Sequence, residues 1–335
     1  MIVSRTPMRL PLGGGGTDLP FYCEKFGSSL VTAAINKYMY ITASPRMDNK
    51  IKLNYSRTEI VDSADHVEHP LIREALRLVG INDSIEIHSV ADVAGGTGLG
   101  SSQSFLVGLL NALYYYKGET VSKYKLAEDA SVITMGTLKE PCGKQDQYAA
   151  AFGNINHLKI TKSQRVTVSP VNISHDDIKR LERNMLLFFT GITRSTNQIL
   201  AEQKQKAEKD SASDNPDSII AHYHEIQNIG NESLKCLESS ELKRFGEWMN
   251  IHWQCKRKLT SRMTNSAIDT WYQLAMDSGA IGGKLIGAGG GGFLLMYAED
   301  NHDRISSALG KEGLVKTPFR FDFEGSRIVY DGRTF

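Results

Sequence analysis

The sequence predicts an α+β protein of two domains, and three observations carry that prediction. At 335 residues the chain exceeds the size at which a single hydrophobic core usually stops growing. Its first half runs from strand-like alternation into glycine turns and then into buried helix. Composition shifts near residue 183, where a short apolar strand over residues 185–189 opens a helix-rich half. Domains are therefore expected over residues 1–182 and 183–335. Apolar residues make up 41% of the chain, enough for ordinary globular cores.

Taken in order, residues 2–12 alternate apolar and polar side chains and reach Gly13-Gly14-Gly15-Gly16, a strand entering a glycine turn. Residues 29–43, 51–55 and 84–90 read as further strands, with a helix over 70–79. Residues 105–110 are apolar on nearly all sides, which marks a buried helix. Helices are also expected over 125–137 and 147–152, the second stopped by Gly153. Residues 203–218 are polar, charged and poor in apolar side chains, so a mobile surface loop is expected there. Residues 219–264 are helix-rich, and 269–278 form another helix ended by Gly279. A second tetraglycine precedes the strand 293–297, and residues 319–330 alternate around Gly325 like a β-hairpin.

The bulk numbers exclude several classes. Basic and acidic residues nearly cancel, 39 against 38, which argues against a general nucleic-acid binder. Arg5 and Arg9 interrupt the short apolar stretch at the N-terminus, so no secretory signal is expected. The longest nearly uncharged apolar run, 105–116, is too short to span a bilayer. Cys23, Cys142, Cys236 and Cys255 show no zinc-type spacing, consistent with reduced thiols in a cytoplasmic protein. The histidines suggest no metal site, and His252 beside Trp253 reads as a packing or surface residue on a helix.

Two short stretches carry the chemistry. Gly95-Gly96-Thr97-Gly98-Leu99-Gly100-Ser101-Ser102 reads as a phosphate-cradling loop opening a helix. Phosphates need backbone N–H groups converging on one point, and glycine lets the main chain come that close. The following helix adds the positive end of its dipole, and the serines offer hydroxyls to a phosphate or to magnesium. A structural turn ahead of a core helix explains four glycines in six residues less well. The loop is not a P-loop, because no lysine stands before Ser101-Ser102, and Ser101 occupies the third glycine position of a dinucleotide loop. The second stretch, Gly143-Lys144-Gln145-Asp146-Gln147, sets a lysine near a lone carboxylate in a polar turn. Asp146 suits a general base, although capping the helix expected from Gln147 is the plainer role for it.

The segment from Ala91 to Ser102 resembles the nucleotide loop of the GHMP kinase superfamily, with Ala94 where that loop usually has proline. Arg5-Thr6-Pro7-Met8-Arg9-Leu10 with Gly15-Gly16-Thr17-Asp18 resembles the family's first motif, and Lys284 to Phe293 resembles its third. The three stand in the family's order and span nearly the whole chain. Within the family, Ile35-Asn36-Lys37-Tyr38, Glu140-Pro141 with Gly143 to Tyr148, and Thr190-Gly191-Ile192-Thr193-Arg194-Ser195 are similar to the heptose-phosphate kinase branch.

That resemblance implies an N-terminal nucleotide-binding domain, a C-terminal ferredoxin-like domain, and ATP-dependent phosphorylation of a sugar or sugar phosphate. The acceptor it points to is the anomeric hydroxyl of D-glycero-D-manno-heptose 7-phosphate. ATP would lie over Gly95 to Ser102. Asp146 would be the base, with Lys144 and Arg9 stabilising the transfer. Asp18 would bind sugar hydroxyls beside Gly15, Gly16 and Thr17. Arg194 and Lys37 would meet a phosphate already on the acceptor, and Gly289, Gly290 and Gly291 would close the site from the second domain. Ser102 would ligate magnesium. The family's usual magnesium-holding glutamate matches Thr134, for which Glu128, Asp129 or Glu140 are possible substitutes. Two alternatives stay open: a kinase of a free sugar of galactose or fucose type, and a catalytically weak sensor with the same fold. No oligomeric state follows from the sequence.

Overall fold

The computed structural model describes residues 1–193, 196–210 and 218–333. The chain opens with the long strand β1 (Ile2–Gly13), a short helix α1 (Pro20–Phe26) and the longer strand β2 (Ser28–Pro45). Strands β3 (Ile51–Asn54) and β4 (Thr58–Val61), helix α2 (Pro70–Val79) and strand β5 (Ile85–Ala91) follow. Proline starts α2 and Gly80, at φ 73°, ends it. Two parts of β2 serve different partners on one side, 28–33 pairing with β6 (Ile155–Ile160) and 39–45 with β5, while β1 lies along the other side. With β7 (Val166–Pro170) and a last strand from the C-terminus these strands form an eight-stranded sheet, antiparallel apart from β3 against β5.

Helix α3 (Ser101–Tyr116) packs on β1 and β2 and is buried on nearly all sides. Its contact with β1 is close, because a Cβ on Gly108 would sit 2.7 Å from Thr6 Oγ1. The next helix, expected to run to Thr137, keeps regular geometry only as α4 (Lys123–Ser131) and widens into a π-helical turn over Val132–Thr137. Ser131 and Thr134 explain the change: each hydroxyl donates to the carbonyl four residues back, at 2.8 and 2.9 Å, which loosens the ladder. Helix α5 (Gln145–Phe152) begins two residues before the expected start.

The second half opens with α6 (His175–Asn184), whose N-cap Ser174 accepts from Asp177 N–H at 3.1 Å. Hydroxyls of Ser240 and Ser174, then Arg180, hold the Asp177 carboxyl below the ordinary aspartate range. That lowered folded value favours the ionised form, so its stabilisation is complete above the unfolded value of about 3.9. It is lost as pH falls through the lower folded value. Asp177→Asn is expected to be less stable than wild type at pH 7 but to lose less of its stability between pH 7 and pH 3. Urea midpoints at both pH values check this, and equal losses would remove Asp177 from the acid transition.

Strand β8 (Met185–Phe189), helices α7 (Thr196–Asp210), α8 (Ile219–Glu238), α9 (Leu242–Arg257) and α10 (Ser266–Asp277), and strands β9 (Gly282–Leu285) and β10 (Phe293–Tyr297) follow. Helix α11 (His302–Lys311) and strand β11 (Val315–Lys316) complete an antiparallel sheet in the order β11-β8-β10-β9. In chain order, helices fall between β8 and β9 and between β10 and β11, which is the ferredoxin-like arrangement.

The expected mobile loop is corrected over 203–210, which is helical. Ile199, Gln203 and Ala207 recur every four residues and are buried. A stripe one residue wide leaves the composition polar while still packing a face. Residues 211–217 lie outside the described residues.

The expected terminal hairpin is corrected too. Phe321 bridges Ile35, and the last strand, β12 (Arg327–Asp331), joins the first sheet beside β1. Alternation marks a strand but not its partner. Among the described residues no helix is long and apolar enough to cross a membrane.

Candidate active site

A pocket opens where the N-terminus of α3, the turn after β1, the start of α5 and the end of β9 converge. Gly96, Gly98 and Gly100 all have positive φ (75°, 88° and 77°), and Gly100 stands at the N-cap of α3 with no side chain capping it. At Gly98 the third motif comes so near that a Cβ would lie 2.5 Å from Ile286 O. The loop alternates: Gly96, Gly98 and Gly100, then Ser101 and Ser102, line the pocket, whereas Gly95, Thr97 and Leu99 do not. Thr97 is buried and donates to Ala94 O at 3.0 Å. Leu99 is a core side chain whose carbonyl accepts from Arg9 N–H at 3.0 Å.

Asp146 lies at the foot of this loop and does not cap α5, whose N-cap is Lys144. Its two oxygens accept a bidentate fork from Arg9 Nε and Nη2, both at 2.7 Å, and Arg9 Nη1 donates to Gly98 O at 2.5 Å. One guanidinium thus ties the carboxylate to the glycine loop, a planar match that a lysine cannot make. Asp18 is buried beside it, accepting from Gln145 N–H at 2.9 Å and Gly16 N–H at 3.2 Å. Burial raises the Asp18 carboxyl above the ordinary range, and the charge of Asp146 raises it further. Gly143 makes room for Asp18, since a Cβ there would fall 2.0 Å from its Oδ2.

Several expected site residues lie elsewhere. Lys144 Nζ binds both Glu128 oxygens and Gln164 O, all at 2.9 Å, and faces away from the pocket. Burying an ammonium requires such partners, and Glu128 supplies the charge. Thr17 spends its hydroxyl on Gly14 O and Ser28 Oγ, each at 2.7 Å, holding the turn from behind. Lys37 lies on the bulge of β2 opposite Pro7 and Met8, outside the pocket.

Gly289, Gly290 and Gly291 pack on Met263 and Ile192, while Gly287 and Ala288 line the pocket instead. Arg194 lies outside the described residues. Thr134 is buried and bonded to Ala130 O, and Asp129 is taken up by Tyr114 and Lys125. Of the possible substitutes for it, only Glu140 lines the pocket, and burial raises its carboxyl.

Other wall residues were not expected at the site, and the reading of His252 as a packing or surface residue is corrected, because it lines the pocket. His252 and Lys256 of α9 lie one helical turn apart and both face the pocket, a spacing visible in the sequence. Lys284 stands between glycine and leucine in the fully buried strand β9. Tyr223 donates to Gln203 Oε1 at 2.8 Å across another wall. Gln103 and Gln145 also line the pocket, and the Gln103 carbonyl oxygen and Gln145 amide nitrogen have no hydrogen-bond partner among the described residues.

A glycine loop at a helix start, with an arginine-held carboxylate beneath it and a ferredoxin-like lobe closing the other side, defines a phosphoryl-transfer enzyme. The GHMP kinases N terminal domain matches residues 70–154 and the GHMP kinases C terminal matches residues 233–315, together about half the chain. The chain belongs to the GHMP kinase family. It is 28% identical to D-glycero-alpha-D-manno-heptose 7-phosphate kinase of Campylobacter jejuni, covering 97% of each chain. It is 26% identical to galactokinase of Pyrococcus furiosus, covering 94% of each. Among solved structures, a putative sugar kinase from Campylobacter jejuni aligns with TM-score 0.77 at 27% identity, covering 98% of this chain and 97% of that one. A D-glycero-D-manno-heptose 1-phosphate kinase from Bacteroides thetaiotaomicron shares the fold with TM-score 0.81 at 24% identity, covering 99% and 100%.

Proposed function

We propose that this enzyme transfers the terminal phosphoryl group of ATP to the anomeric hydroxyl of D-glycero-D-manno-heptose 7-phosphate. The observation that carries the reading is Asp146, forked by Arg9 under the glycine loop with Asp18 beside it. The full-length relationship to a heptose 7-phosphate kinase supports the choice of sugar. In this reading the triphosphate rests on Gly96, Gly98, Gly100, Ser101 and Ser102, where the dipole of α3 offsets its charge. Asp18 orients the sugar by accepting from its hydroxyls.

Asp146 takes the proton of the attacking hydroxyl as the new O–P bond forms and the bond from the γ-phosphorus to the departing ADP oxygen breaks. Arg9 keeps the carboxylate aimed and offsets its charge before the transfer. Magnesium fits the oxygens available: the Ser102 hydroxyl and the Glu140 carboxyl line the pocket, and magnesium takes most of its ligands from water and phosphate. When bound it neutralises charge on the β- and γ-phosphates. We place the protein in the cytoplasm.

ADP release with ATP and magnesium, measured over free hexoses and heptoses and their 6- and 7-phosphates, tests the reading. Turnover confined to heptose 7-phosphate is expected. Turnover on free sugars alone would instead make it a galactose- or fucose-type kinase. Silence on the whole panel with ATP still bound would favour a sensor.

A further inference from the structure

In the wall formed by the second lobe, Lys284 and His252 have no carboxylate partner among the described residues. Lys284 is 1% exposed and His252 is 2% exposed, yet both line the pocket. Lys284 Nζ donates to Leu12 O at 3.0 Å and lies 3.1 Å from His252 Nδ1. An ammonium donating to Nδ1 leaves the ring hydrogen on Nε2, and Nε2 has no partner among the described residues. Lys256 stands next to this pair and donates to Leu285 O at 3.1 Å and to Gly287 O. The pocket's two central carboxylates are already engaged, Asp146 by Arg9 and Asp18 by backbone amides.

A buried lysine among cations and an orphaned imidazole donor are both costly unless something negative arrives. Burial first, then Lys256 and Arg9, hold the Lys284 ammonium well below the ordinary lysine range, and the His252 ring is lowered in the same way. An anion in this corner would reverse both shifts and satisfy Nε2. A sugar hydroxyl would satisfy Nε2 but leave the charge uncompensated.

We propose that Lys284 and His252, with Lys256 beside them, form a second phosphate subsite in the pocket wall, separate from the glycine loop. The assignment rests on reading the pocket as a kinase site. Its ligand is a phosphate group from one of two sources, the acceptor's own phosphate or the γ-phosphoryl as it leaves ADP. The Lys284 ammonium and the His252 Nε2–H suit the several oxygens of such a group.

Calorimetric binding to wild type, Lys284→Met and His252→Leu tests the subsite, with magnesium present throughout. The probes are heptose 7-phosphate, the free heptose, ADP and a non-hydrolysable ATP analogue. Each variant is expected to bind one phosphate-bearing probe at least tenfold more weakly, with free heptose and ADP held within about twofold. Loss confined to heptose 7-phosphate assigns the acceptor's phosphate, and loss confined to the ATP analogue assigns the γ-phosphoryl.

Unchanged affinities, or equal loss on all four probes, would overturn the proposal. Lys284 also holds the Leu12 carbonyl, so if Lys284→Met does not fold, His252→Leu decides alone. If wild type fails to bind heptose 7-phosphate, the acceptor named above is wrong. The subsite is then judged by the ATP analogue against ADP, and by inorganic phosphate titrated into the ADP-bound protein.

Discussion

Asp146→Asn should lower kcat by about a thousandfold while leaving ATP affinity within about threefold. The asparagine keeps the shape but cannot take a proton from the sugar hydroxyl. Nucleotide affinity should survive because the phosphate loop owes its shape to Gly96, Gly98 and Gly100 and to the start of α3. A second readout follows from Arg9, whose side chain is only 8% exposed and whose Nε and Nη2 both point at Asp146. Removing the carboxylate's charge leaves a buried guanidinium under-compensated, at a cost of up to about 3–5 kcal/mol. The thermal midpoint should fall, and the double variant Arg9→Met with Asp146→Asn should recover part of that fall. Steady-state rates and nucleotide binding on the same preparation check the prediction; an unchanged kcat would remove Asp146 as the base.

Gly143→Ala should raise the acceptor KM at least tenfold with little change in the KM for ATP. The added methyl would fall 2.0 Å from Asp18 Oδ2 and 2.7 Å from the Asp18 carbonyl, so Asp18 has to move. Asp18 has little room, because the amides of Gln145 and Gly16 fix its two oxygens from opposite sides. Asp18→Ala should show the same split, and the double variant should lose little more than either single one, because both changes act through one carboxylate. Additive losses, or a rise in the KM for ATP as large as that for the acceptor, would show that Gly143 supports the phosphate loop instead.

Strands over 51–54, 85–91, 185–189 and 293–297, and helix α2, lie within a residue or two of where periodicity places them. Residues 51–54 and 85–88 alternate, 185–189 and 293–297 are short continuous apolar runs, and α2 is bounded by Pro70 and Gly80. The three glycine motifs were equally legible, since positive φ and close backbone approach leave few other residues possible. What misled was any pattern that packing later completed: a helix with a stripe of Ile199, Gln203 and Ala207, and a terminal strand whose partner is β1.

At the site, residue type did not predict direction. Asp146, Arg9 and Asp18 meet in the pocket, but Lys144, one residue from Gln145 and two from Asp146, turns its amine to Glu128. Lys284 and His252 sit 32 residues apart and meet only because α9 packs on β9.

The sequence by itself determined the fold class, the motif order and the glycine loop that opens α3, because these depend on local backbone freedom and apolar periodicity. Tertiary structure alone decided which side chains face the pocket. Direction depends on where a buried charge finds its partners, and those partners come from distant parts of the chain.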